Sequence, residues 1–261
     1  MRAWILTIGR EILTGRILDT NSRFVARKLY FLGIDLERIV IVDDDLAAIS
    51  AEVRRAMESD ARLIFTLGGL GPTFDDVTLA GVAEATGRSL TPHQEALDFV
   101  REKYKGLKAR GLVDDEGMTP EREKMAHLPE GSRILPNPVG AAPAVALDVE
   151  NKTIYSLPGV PAELQAIFEG FVEKELATLT GKRVFIEETL PSGYRDESKL
   201  TPILKGVMDE LPGIYIKSCP GRFDIKEDIP IVISAIGDDE GETRRRINEA
   251  IARIKSRLKR P

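Results

Sequence analysis

Apolar positions fall along this chain in two rhythms. Largely apolar runs at residues 4–8 and 63–67 and an apolar-rich stretch at 34–42 predict strands, and apolar residues three and four apart predict helices between them. The first helix, residues 21–31, carries Phe24, Val25, Leu29 and Leu32 on one side and stops at Gly33. The second follows Asp43, Asp44 and Asp45, with Ile49, Val53, Ala56 and Met57 on one face. A third covers residues 76–85 and stops at Gly87. A fourth is expected from an N-cap at Thr91 and a first-turn Pro92 to about residue 110. Thr119 and Pro120 start a short helix. Residues 134–144 are too rich in proline to be helical, and a hairpin pairs 145–147 with 153–157. Pro161 then opens an amphipathic helix bearing Leu164, Ile167, Phe168, Val172 and Leu176.

Strands alternating with helices predict an α/β domain, a three-layer open mostly parallel sheet. The grammar changes near residue 183. A strand at 184–189, a helix at 197–210, strands at 214–217 and 229–236 and a helix at 240–258 form a small α+β module. Two domains are therefore expected, residues 1–178 and 179–261.

Composition narrows the function classes. With 261 residues and a net charge of −5, the chain is not expected to bind nucleic acid. Its single cysteine, Cys219, excludes an internal disulfide and fits a reducing compartment. There is no apolar run of bilayer-spanning length and no basic-then-apolar leader, so a cytoplasmic protein without membrane contact is expected.

Chemistry concentrates after the third strand, in Thr66-Leu67-Gly68-Gly69-Leu70-Gly71-Pro72-Thr73-Phe74-Asp75-Asp76-Val77-Thr78. Glycines let main-chain N–H groups approach an anion with no Cβ in the way, and a following helix start attracts phosphate. A P-loop would need Gly-Lys-Ser/Thr here, and the dinucleotide fingerprint would need glycine where Phe74 stands. The pair Asp75 and Asp76 beside an anion cradle suggests a bridging cation, the plain alternative being a helix cap. Asp44 lies at another strand end, and in a parallel sheet Asp44 and Asp76 are expected at neighbouring strand ends, sharing one ion. His93 and His127 are read as capping or solvent residues.

The pattern Gly-Gly-x-Gly-Pro-Thr-x-Asp-Asp-x-Thr resembles the signature of the CinA N-terminal domain, a branch of the molybdopterin-binding fold shared with MogA, MoaB and MoeA. Glu11, Gly15, Asp19, Thr20 and Asn21 match the family's first loop, whereas Arg10 replaces its usual acidic or amide residue. Asn137-Pro138-Val139-Gly140 and Leu157-Pro158-Gly159-Val160-Pro161-Ala162-Glu163 are similar to its other two signatures. The resemblance implies that an aspartate at position 44 lines the site, that residues 118–126 form a flap or oligomer contact, and that the second module is similar to a KH-like middle domain. That module lacks a Gly-x-x-Gly clamp, which argues against RNA binding. CinA's amidase domain is not expected, since the sequence ends at Pro261, and its deamidation is not carried over.

The resemblance further implies divalent-metal-dependent hydrolysis of ADP-ribose, or a related dinucleotide such as FAD, to AMP and a sugar phosphate. Asp44 and Asp76 would hold Mg, Mn or Co, and Asp75 or Glu11 would orient water. Gly68, Gly69, Gly71, Pro72, Thr73, Thr78, Thr20, Asn21, Asn137, Gly140, Pro158, Gly159, Val160 and Glu163 would bind the nucleotide or pterin ligand. A homo-oligomer is expected. The alternatives are a molybdopterin-binding or adenylylating protein of molybdenum-cofactor biosynthesis, and a non-catalytic nucleotide-binding adaptor favoured by Arg10.

Overall fold

The computed structural model describes residues 1–181, 183–219 and 228–258. The chain divides into two compact units: Met1–Tyr30 with Ile34–Leu176, and Phe31–Gly33 with Ala177–Pro261. No helix among the described residues is long and apolar enough to cross a membrane.

The first unit is built on one six-stranded sheet in the order β2-β1-β3-β8-β7-β6. Four strands run parallel: β2 (Asp35–Val42), β1 (Arg2–Ile8), β3 (Leu63–Leu67) and β8 (Lys152–Leu157). The remaining two, β7 (Ala144–Val149) and β6 (Arg133–Leu135), are antiparallel. All five residues of β3 are buried, as expected of a parallel strand covered on both faces. On one face α3 (Leu46–Glu58) and α4 (Thr78–Thr86) set Ile49, Val53, Ala56 and Val82 against Trp4, Leu6, Ile8 and Val42. On the other, α2 (Thr20–Phe31) and the helix after β8 meet through Phe24 and Phe168, whose rings lie edge to face at 5.8 Å. That helix comprises α7 (Pro161–Ile167), a π turn (Phe168–Val172) and α8 (Glu173–Thr180). Arg133 forks onto Glu175 at 2.8 and 2.7 Å, and the Tyr155 hydroxyl donates to the same carboxylate at 2.9 Å. This charge-assisted pairing ties β6 and β8 to α8.

Two local expectations are corrected. Residues 10–13, expected as loop, form a single-turn helix, α1 (Arg10–Leu13), too short to show a period between Gly9 and Gly15. Leu90–Pro92 is a strand, β4, pairing with β5 (His127–Pro129), and the cap of α5 (Gln94–Ala109) is His93, whose Nδ1 accepts from the Ala96 N–H at 3.4 Å. A pairing across some 37 residues leaves no trace in local spacing. Residues 118–126 hold α6 (Pro120–Lys124), whose residues are exposed or half-buried, and after it Met125 and Ala126 are buried in the core beside Ala96, Val100 and Leu128.

The second unit is a three-stranded antiparallel sheet in the order β10-β11-β9, formed by β9 (Val184–Pro191), β10 (Ile214–Ser218) and β11 (Pro230–Gly237). Helices α9 (Glu197–Glu210) and α10 (Glu240–Arg257) bury Leu200, Leu204, Val207, Ile247 and Ile254 against Ile231 and Ile233. Asp196 and Asp239 cap the two helices.

Candidate functional site

The four parallel strands end at one edge of the sheet, where open α/β folds place their ligands. Each end passes into a polar or glycine turn: β1 into α1, β2 into Asp43–Asp45, β3 into the glycine stretch, β8 into Pro158, Gly159 and Val160. Between them lies a cleft of about 460 Å³, within the range of small-molecule sites. Glu11, Asn21, Asp44, Gly68, Gly69, Gly71, Pro72, Thr73, Asp75, Asp76, Pro158, Gly159, Val160 and Glu163 all line it.

The glycine turn is held from several sides. Gly68 donates its N–H to the Leu157 carbonyl at 2.9 Å, keeping the turn in register with β8. Its own carbonyl accepts from the buried Thr78 hydroxyl at 2.8 Å, and the Thr78 N–H returns to the Gly69 carbonyl at 3.3 Å. Gly68 and Gly69 have φ of +107° and +67°. A Cβ on the first would run into the Ile8 carbonyl and on the second into the Thr78 hydroxyl, so both positions demand glycine. Among the described residues, the N–H groups of Gly69, Leu70 and Gly71 have no partner. Thr78, expected to touch ligand, is instead the brace of the turn. Thr78→Val leaves the Gly68 carbonyl unpaired, and urea denaturation is expected to show a loss of about 1–3 kcal/mol.

Asp76 also turns inward. Its Oδ2 accepts from the Thr73 N–H at 2.9 Å and the Thr73 hydroxyl at 2.6 Å. That hydroxyl also faces Asp75, and Lys124 Nζ donates to the Thr73 carbonyl. The Thr73 hydrogen bond, then its own N–H, then the charge of Lys124 hold the Asp75 carboxyl below the ordinary range. Neither aspartate caps α4, whose N-cap is Val77 with no side-chain bond.

The three consecutive acids after β2 do three different things. Asp45 caps α3, accepting from the Ala48 N–H at 2.9 Å. Asp43 accepts from the Asp44 N–H and pairs with the Arg10 guanidinium at 3.3 Å. Asp44 faces the cleft and accepts from the Arg10 N–H at 2.7 Å. Burial raises its pKa first; the Arg10 N–H opposes this, and the charges of Glu11, Asp75 and Asp43 raise it further. Asp44 and Asp76 are not on neighbouring strand ends. β1 lies between β2 and β3, so α1, which bears Glu11, comes between them, and the charges that reach Asp44 are those of Glu11, Asp75 and Asp43.

Among the described residues, no three His, Cys, Asp or Glu side chains form a ready-made metal cage. Crowded carboxylates beside unpaired N–H groups fit a hard cation bound by one or two carboxylates, water and ligand phosphate, the manner usual for Mg²⁺.

Other expected residues act at one remove. Thr20 is exposed and outside the cleft, while Asp19 caps α2 through the Ser22 N–H at 2.9 Å and accepts from Thr7 at 2.8 Å. Asn137 is fully buried, accepting from the N–H groups of Val139 and Gly140 and donating to the Ala142 carbonyl and, at 2.6 Å, to Glu163 Oε2. Asn137 positions Glu163, Gly140 leaves room for that carboxyl, and neither of the two lines the cleft. Asn21 is 6% exposed and donates to the Gly159 carbonyl at 2.7 Å, while its buried Oδ1 has no partner among the described residues. Tyr104 and Met125 line the cleft unforeseen, because helix spacing marks both only as core residues.

Residues 4–178 match the sequence model of a family described as a probable molybdopterin binding domain. A protein from Caldivirga maquilingensis is 40% identical over 99% of this chain and 97% of its own length. Protein PH0439 of Pyrococcus horikoshii is 39% identical over 91% of this chain and 90% of its own. Among solved structures, the protein CinA from Thermoplasma acidophilum superposes with a TM-score of 0.61 and 38% identity, over 67% of this chain and 99% of that one. With its parallel sheet, glycine turn and three signature stretches, the chain belongs to the molybdopterin-binding-domain family and is CinA-like within it.

Proposed function

We propose that this cleft binds a nucleotide diphosphate and, with a divalent cation, hydrolyses its pyrophosphate, splitting ADP-ribose into AMP and ribose 5-phosphate. The observation that supports this reading is one wall carrying the unpaired N–H groups of Gly69, Leu70 and Gly71 and another carrying Asp44, crowded by Glu11 and Asp75. The N–H groups would hold non-bridging phosphate oxygens. Asp44 would hold Mg, Mn or Co together with water and the ligand's phosphate, and the bound ion would neutralise phosphate charge and acidify water. Asp75 or Glu11 would take the water proton. The water oxygen bonds to one phosphorus as the bridging oxygen leaves with the other, so one water is consumed per bond broken. The unpaired Asn21 Oδ1 would accept from a ligand hydroxyl or amino group.

Incubating the protein with ADP-ribose and each metal should release AMP and ribose 5-phosphate in equal amounts, detected by chromatography, with none in EDTA. Asp76→Ala should slow release by about tenfold or more, since it frees Thr73 and loosens the turn that carries the N–H groups. Full activity in that variant, or no turnover with any metal, would end the hydrolytic reading. The family description favours a second reading, binding of molybdopterin through its phosphate on the same N–H groups. Calorimetry with molybdopterin against ADP-ribose separates the two.

A further inference from the structure

A second hollow of about 240 Å³ lies against the glycine turn and shares Gly69, Leu70, Gly71, Asp76 and Met125 with the cleft. Its character is different. Val77, Leu79, Ala80 and Leu90 make it apolar, and Phe74 stands at its rim, 93% exposed. Isolated exposed apolar side chains are ordinary on protein surfaces. Phe74 is not ordinary in its support. The Thr73 N–H and hydroxyl reach Asp76, the Asp76 N–H returns to the Thr73 carbonyl at 3.1 Å, and Lys124 holds that same carbonyl. The side chain therefore projects, bare to solvent, from a braced turn beside an apolar hollow that continues from the phosphate cradle.

His127, Lys124 and Asp76 supply the polar edge. The His127 Nδ1 lies 3.0 Å from the Glu123 carbonyl, which can only accept, so Nδ1 carries the hydrogen and Nε2 of the neutral ring is an acceptor. An apolar slot with an exposed aromatic ring and, on its rim, His127 Nε2 and the Asp76 carboxylate as acceptors beside Lys124 matches a planar heterocycle bearing an amino group.

Resting on the phosphate cradle of the proposed function, we propose that this hollow is the subsite for the ligand's amino-bearing aromatic base, stacked on Phe74, with its phosphates on the glycine turn. Stacking on an aromatic side chain changes affinity by about tenfold or more. Phe74→Ala, a change at an exposed position, should therefore weaken AMP and ADP-ribose in calorimetry by about tenfold or more and leave pyrophosphate binding unchanged. Phe74→Trp should restore AMP. Unchanged AMP affinity in Phe74→Ala overturns the assignment, as does an equal loss for pyrophosphate, which would mean the turn had collapsed. A shifted sedimentation coefficient with AMP affinity intact would assign the ring to a second copy of this chain, and likewise overturns it. A wild-type chain that binds neither pyrophosphate nor AMP removes the cradle and with it the hydrolytic reading. Adenosine, which needs no cradle, still reads the base subsite, and its binding must weaken in Phe74→Ala.

Discussion

Asp44→Asn is expected to lower release of AMP from ADP-ribose by at least about a hundredfold, while the protein's melting temperature at pH 7 without metal holds or rises. Loss of activity follows from the proposed role, because groups that merely orient metal ligands are worth 10–100-fold and a ligand should exceed them. The stability outcome follows from geometry. Asparagine Oδ1 can still accept the Arg10 N–H that Asp44 accepts at 2.7 Å, so the turn keeps its tie while the charge is removed. That charge is unfavourable in the folded chain, where burial and then the carboxylates of Glu11, Asp75 and Asp43 raise the Asp44 pKa above its ordinary 3.8. A raised carboxyl binds its proton more tightly folded than unfolded, so stability falls as pH rises from about 4 through the folded value and stays reduced above it. The penalty is small, since Asp44 is only partly buried. Divalent cation should reverse it, raising the wild-type melting temperature more at pH 7 than at pH 4 and leaving Asp44→Asn unmoved. Calorimetric scans with and without Mg²⁺ and a chromatographic AMP assay measure both halves. Undiminished turnover in the variant would remove Asp44 from the chemistry.

Much of the architecture was legible because its determinants are local. Leu63-Ile64-Phe65-Thr66-Leu67 is buried along its whole length and reads as a continuous apolar run. The second unit, whose helix at 197–210 coincides with α9, obeys the same short-range grammar. Strand order is not local. No pattern in residues 34–67 says that β1 inserts between β2 and β3, and that insertion separates Asp44 from Asp76 and brings Glu11 between them. β4 and β5 were missed for the same reason: each is three residues long and exists only because the other is present.

The site shows the same division. The glycine turn was visible because positive φ and close approach leave glycine as the residue that fits. The roles of its polar neighbours were not, because one residue type serves two physical ends. Thr78 and Asp76 bond to the turn that carries them, Asn137 is buried to shape Glu163, and Asn21 spends one amide atom on Gly159 while leaving the other unpaired. Spacing marks such residues as important without saying whether they brace the cradle or face the ligand. Only the direction of each hydrogen bond separates the two.

Gly68→Ala is expected to destabilise the protein by about 3 kcal/mol or more. At φ +107° any side chain is strained, at a cost of about 1–3 kcal/mol. Its Cβ would also run into the Ile8 carbonyl, and forced repacking adds about 1–3 kcal/mol. The carbonyl cannot retreat, because Ile8 ends a strand paired with β2 on one side and β3 on the other. Gly68 cannot move either, tied by its N–H to Leu157 and by its carbonyl to the Thr78 hydroxyl. Gly87→Ala is the control: φ there is +65°, nothing lies within 4 Å of the added carbon, and only the left-handed backbone is penalised, by about 1 kcal/mol. Urea denaturation of both variants, followed by pyrophosphate titration of whatever remains folded, reads the two effects separately. Gly68→Ala should also lose pyrophosphate affinity, since shifting Gly68 misaligns the N–H groups of Gly69, Leu70 and Gly71, whereas Gly87→Ala should bind as the wild type does. Equal stabilities for the two variants would mean that the turn yields, and a cradle that yields cannot hold its N–H groups in place before the ligand arrives.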